Sequence, residues 1–212
     1  MKLIIAMALL VLVTAFPVVS QAGIIASFTA DGSAFAPSAI GVGQTLSLPL
    51  YLFQTGTTEL TDPGLLSAGL GVTFSPTGVV DVTSAILGTG WNSLFSLVSV
   101  NNTAGTAAIQ SGLDFVDPAL TETGGSILLG TLEFKGVTAG AAVLTIGDAD
   151  LQLDDTLDGN GNILDGSITF GDTTSITVIS SAVPEPSSFV VIGVLATFFA
   201  TRRLRRRHVC QR

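Results

Sequence analysis

A run of leucines at every second position most constrains this chain. Leu46, Leu48, Leu50 and Leu52 alternate with Ser47, Pro49, Tyr51 and Phe53. A period of two puts all four leucines on one face of a pleated strand, so the strand must cover a core with that face. The pattern recurs. Leu70, Val72 and Phe74 alternate with Gly71 and Thr73, and Val80 and Val82 follow a turn at Pro76-Thr77-Gly78. Further short apolar segments run Ile25–Thr29, Leu94–Val100, Ala107–Phe115, Ile127–Phe134, Ala142–Ile146, Ile163–Phe170 and Ser175–Ile179, punctuated by Gly, Asn, Asp and Pro. About ten strands at hairpin spacing, with no helix-period stretch between them, predict an all-β fold, an antiparallel β-sandwich or jelly roll.

The charges are unevenly placed. Of sixteen Asp and Glu residues all but Glu185 lie between Gly23 and Val183, whereas Lys135 is the one Lys or Arg in that span. A surface of that sign repels nucleic acid and anionic headgroups, and it suits cations and basic partner patches. Cys210 and His208, the single Cys and the single His, both sit near the C-terminus. The middle therefore has no disulfide, no Cys or His zinc site, no Ser-His-Asp triad and no Cys nucleophile. Carboxylates alone remain for chemistry.

The two ends read as addresses. Lys2, the apolar run Leu3–Val13 and Ser20-Gln21-Ala22 have the order of a secretory signal peptide over 1–22, with cleavage expected between Ala22 and Gly23. At the other end Val183-Pro184-Glu185-Pro186 precedes an apolar stretch over 187–201 and a basic tail over 202–212 that contains Arg202, Arg203, Arg205, Arg206 and Arg207. The prolines mark an extended hinge, the apolar stretch a single short membrane helix, and the arginines a flank that stays cytoplasmic. This tail resembles the PEP-CTERM sorting signal of exported bacterial proteins, also catalogued as the ice-binding-protein C-terminal motif. The resemblance implies an exosortase-type processing protease as a partner, cleavage near Pro-Glu-Pro, and delivery to the cell surface or extracellular matrix.

The span 23–182 between the ends is one domain's worth of chain. Its segment order resembles the cohesin-like β-sandwich. Gly41-Val42-Gly43-Gln44-Thr45-Leu46-Ser47-Leu48-Pro49-Leu50 is similar to the opening strand of that family. Leu70 to Val82 is similar to its strand that ends at a Pro turn and restarts, and Leu128 to Gly136, followed by Ala142 to Ile146, to its late strands. The resemblance implies a binding module that takes dockerin modules on one sheet face.

Asp148 to Asp165 is the one chemically dense segment. Asp158, Asn160 and Asn162 resemble the first three ligands of an EF-hand loop, but Ile163 stands where its glycine belongs and Thr169 where its bidentate Glu belongs. A complete EF-hand is thereby excluded. Two readings stay open: a looser calcium site on Asp158, Asn160, Asn162 and Asp165, which would make calcium the one cofactor to consider, or a solvated hairpin closed by Asp-Gly and Asn-Gly turns. Asp114 and Asp117 are a carboxylate pair that a glycosidase would need. Trp91 with Tyr51 would make a sugar-stacking platform, although a lone Trp in a sandwich belongs more often to the core. Asn101-Asn102-Thr103 fits a glycosylation sequon. Ice binding would require a regular threonine array, and the sequence shows none.

The function expected from these residues is an exported, non-enzymatic surface or matrix protein carrying a β-sandwich binding module, with extracellular polysaccharide as one possible ligand. The alternatives are a scaffold receptor for dockerin-bearing proteins and a carboxylate-only glycosidase.

Overall fold

The computed structural model describes residues 23–180 except 115, 123 and 151–153. Ala22 and the signal segment, the motif Val183–Pro186, the apolar stretch and the arginines lie outside the described residues. The chain divides into two units, 1–179 and 180–212, and the first holds the sandwich.

Twelve strands follow in order: β1 (Gly23–Ser27), β2 (Ser38–Gly41), β3 (Thr45–Thr55), β4 (Leu65–Ser75), β5 (Val80–Leu87), β6 (Leu97–Asn101), β7 (Thr106–Gly112), β8 (Ser126–Gly136), β9 (Gly140–Asp148), β10 (Leu157–Asp158), β11 (Ile168–Thr169) and β12 (Thr173–Ile179). The only helix among the described residues is one 3₁₀ turn, Asp165–Ser167. No described helix is long and apolar enough to cross a membrane.

The strands form two sheets. One has the order β11-β1-β3-β8-β5, and the other β2-β12-β9-β4-β7-β6 with β10 beside β4. Most pairings are antiparallel, as the alternation predicts. Two are parallel, β1 with β11 and β12 with β2, so the sandwich is mixed at its margins. Those four strands come from the two ends of the domain, which long connections bring side by side; a tight hairpin cannot make such a pairing.

The leucine run works as its period predicts. Leu48, Leu50 and Leu52 are fully buried, and Ser47, Pro49, Tyr51 and Phe53 face outward. On the partner strand β8, Leu132 and Phe134 stand opposite Leu48 and Leu46. From the other sheet Leu70, Val72 and Phe74 of β4 close the core. Phe74 meets Phe134 edge-on at 5.7 Å, joining the two layers. Each such leucine stabilises the fold by about 1.5–3 kcal/mol. The whole buried core runs from Ile24 to Val178, so 23–180 is a self-contained folding unit.

The structure differs from the expected strands at Ile163–Phe170. Asp165-Gly166-Ser167 turns there as a 3₁₀ helix, leaving a bridge at Ile163 and the two residues of β11. The short strands β2 and β10 carry too few alternations to be read from sequence.

Candidate functional site

The middle of the larger sheet's outer face is built of small side chains. Register places Asn101, Thr106, Thr73, Thr145 and Thr173 in one row across β6, β7, β4, β9 and β12. The next row is Ser99, Ala108, Gly71 and Gly147. Missing side chains at Gly71 and Gly147 leave a shallow groove of about 280 Å³, walled by Thr73, Thr106 and Thr145 and closed at one end by Asp148 and Ala149. Four threonines in line across four strands form an array that no stretch of sequence displays. The array is a single row, because the row beyond it reads Ser75, Val143 and Ser175.

Carboxylates gather beside this groove. Asp148 ends β9, Asp155 lies in the segment before β10, and Asp165 opens the 3₁₀ turn. One oxygen of each lies within 4.8 Å of the others. Gly69 makes room for the cluster, because a Cβ there would fall inside the Asp155 carboxylate. Gln110 of β7 donates to Asp155 Oδ2 at 3.1 Å, and the Thr156 hydroxyl donates to Oδ1 at 3.4 Å. Burial, assisted by the charges of Asp148 and Asp165, pushes the Asp155 carboxyl from 3.8 up to about 6 against these hydrogen bonds. Asp165 Oδ1 is buried without a hydrogen-bond partner. Three converging carboxylates of this kind are a donor set for a hard cation such as calcium.

The predicted calcium residues are divided between two places. Asp165 belongs to the trio. Asp158 is buried in its own hairpin, where Oδ1 accepts the N–H groups of Asn160 (2.9 Å) and Asn162 (2.8 Å), and Oδ2 accepts Asn162 Nδ2 (2.7 Å). Gly161, at φ 81°, turns the chain back so that Asp158 N–H can donate to Asn162 O. Burial raises the Asp158 carboxyl, but the Asn162 side chain and the N–H groups of Asn162, Asn160 and Gly161 outweigh it and hold the group low. Asp158 and Asn162 thus close this hairpin with their own hydrogen bonds. Asp148 and Asp155 lie within the dense segment, but nothing in its spacing singles them out. Their proximity to Asp165 is made by sheet register and by the space over Gly69, neither of which has a local signature.

The remaining candidates have structural roles. Trp91 is buried and donates from Nε1 to Leu128 O at 2.9 Å, whereas Tyr51 faces outward on the smaller sheet, so the two make no stacking platform. Asp117 Oδ2 accepts the N–H of Asp114 at 3.3 Å within one turn, so the pair is a local loop closure. In the sequon, Asn101 Oδ1 accepts the Ala104 N–H.

No protein-family model matches the chain, and no curated protein does. Solved structures do. The third cohesin of ScaC from Acetivibrio cellulolyticus, solved in complex with the ScaB dockerin, superposes with a TM-score of 0.53 at 16% identity, covering 74% of this chain and 99% of that one. The fold is cohesin-like. The cohesin CaCohA2 from Clostridium acetobutylicum gives 0.51 at 15% identity over 76% of this chain and 94% of its own. The seventh ScaB type I cohesin from Pseudobacteroides cellulosolvens gives 0.50 at 12% identity over 77% and 96%. At such identities the likeness is one of fold. The cohesin-like sandwich places the hydroxyl-walled groove and the acidic trio together on the outside of its larger sheet.

Proposed function

We propose that this chain is a non-enzymatic binding module working outside the cell, and that its ligand is a dockerin-type protein module seated on the outer face of the larger sheet. The observation that carries the reading is the cohesin-like fold, which one relative presents in complex with a dockerin. Two properties of this chain support it. The groove in that face is bordered by Gly71, Thr73, Ser99, Ala108 and Gly147, whose small side chains leave room for those of a partner. The domain carries fifteen acidic groups against one basic, which favours a partner with a basic patch. In this reading the N-terminal segment exports the chain, and the PEP-CTERM tail holds it at the membrane for an exosortase-type protease to sort to the surface or matrix.

The test is titration calorimetry of the domain 23–180 against dockerin modules from the same cell, alongside the Gly147→Trp variant. Nothing lies within 4 Å of a Cβ at Gly147, so a large side chain fills the groove with the fold intact. Stoichiometric binding that Gly147→Trp abolishes supports the reading. Retention of extracellular polysaccharide with no protein partner makes the domain a matrix component, and turnover of glycans overturns the non-enzymatic assignment.

A further inference from the structure

Strand β6 ends the larger sheet, and β7 is its one neighbour among the described residues. All five of its residues, Leu-Val-Ser-Val-Asn, are exposed. Val98 and Val100 pair with Ile109 and Ala107, which face the core, yet remain 38% and 43% exposed. The cause is the unequal width of the sheets. The smaller sheet stops at β5, which lies opposite β7, so β6 overhangs it. Leu94, Phe95, Leu97 and Ile86 add to this exposed apolar surface.

The margin of β5 is treated differently. The Asn102 side chain accepts from Val82 N–H at 2.8 Å and donates to Val82 O at 3.1 Å, so its amide stands in for a neighbouring strand. β6 has no such cover among the described residues. It also lacks the lysines, prolines and bulges that usually protect an open edge.

We propose that β6 is the seam of a homodimer, in which two copies pair β6 antiparallel to β6 and join their larger sheets into one. Three observations select a second copy of this chain. An open strand edge is completed by another strand's N–H and C=O groups. Leu-Val-Ser-Val-Asn is close to palindromic about Ser99, so a two-fold axis there sets Val98 of each copy against Val100 of the other, apolar on apolar. The third is charge. From Val82 to Leu113 the chain has no ionisable group, although the domain as a whole is strongly acidic. Two identical acidic bodies approach with least repulsion through that uncharged margin. The pairing uses the sheet edge and leaves the outer face open, so it stands independently of the proposed dockerin ligand.

Sedimentation velocity on residues 23–180 over a dilution series tests this. The expected result is a species of doubled mass that dissociates on dilution. Val98→Lys and Val100→Glu, each at an exposed position, are expected to be monomeric and to melt at the temperature of the diluted, monomeric wild type. Their equimolar mixture is expected to regain the doubled mass, because one Lys–Glu pair and one Val–Val pair then face each other. A wild-type monomer at every concentration overturns the proposal, as do single variants that stay dimeric or a mixture that stays monomeric. Hydrogen exchange gives a second reading without mutation. Protection of the 98–100 amides should fall on dilution, and protection independent of concentration overturns the seam. A foreign extended peptide bound at β6 by a chain that never self-associates does so too.

Discussion

Neutralising Asp155 should strengthen the fold. In Asp155→Asn the shape is kept, and the amide oxygen can still accept from Gln110 Nε2, but the half-buried charge beside Asp148 and Asp165 is gone. A carboxyl moved from 3.8 to about 6 corresponds to roughly 3 kcal/mol at about 1.36 kcal/mol per pH unit. Partial access to water screens this to about 1–2 kcal/mol, which for a domain of this size raises the melting temperature by about 3–6 °C. The sign follows from linkage. The folded state holds this proton more tightly than the unfolded chain does, so the wild type loses stability as pH rises from 3.8 towards about 6, and the loss is complete above that. The variant's advantage is therefore full at pH 7.5 and vanishes below about pH 4. The assay is thermal melting of both proteins at pH 7.5 and pH 4 with a chelator, then at pH 7.5 with calcium. Calcium held by the trio would raise the wild-type melting temperature and leave the variant unmoved. An advantage of equal size at both pH values would refute the reasoning, since a buried charge would then not be its cause.

The same structure makes four further predictions. Gly69→Ala should expel the Asp155 carboxylate from over β4, lowering stability by about 1–3 kcal/mol and, by NMR titration, returning the Asp155 carboxyl towards the ordinary range. Asn102→Ala removes both hydrogen bonds to Val82 and should cost about 1–3 kcal/mol in urea denaturation. Trp91→Phe keeps most of the packing but removes the hydrogen bond to Leu128 O, for a loss of about 1 kcal/mol by thermal melting. Asp158→Ala should loosen the 158–162 hairpin, seen as faster exchange of the Asn160 and Asn162 amides; because this carboxyl is held low, its contribution in the wild type is present above about pH 4 and lost as pH falls.

Where the chain alternates over many residues, its fold could be read in advance. β3, β4 and β8 are long enough for period two to show which residues face inward, and Leu48, Leu50 and Leu52 took the core as that period requires. Segments of two to four residues have no period to read, which is why β2 and β10 went unrecognised. Ile163 to Phe170 misled for a different reason. Its apolar residues suit a strand, but Asp165-Gly166-Ser167 has the local turn chemistry that prevailed. The candidate site was harder still. Asp158 and Asn162 are neighbours in sequence, so their loop stood out, but density of carboxylates does not say which oxygens are already engaged. The threonine row, drawn from residues 73, 106, 145 and 173, exists only after four strands fall into register.

The position of β12 has a mechanical consequence. Ile179 is the last residue of the sandwich, and β12 is held by six residue pairs to β9 on one side and four to β2 on the other. A pull applied at Ile179 along the strand loads these bonds together, sideways, instead of opening them one after another. Sheared ladders resist force far better than peeled ones, so a module tethered through this end would hold its shape under drag, with the margin at β6 on the far side of β4 from the loaded strand.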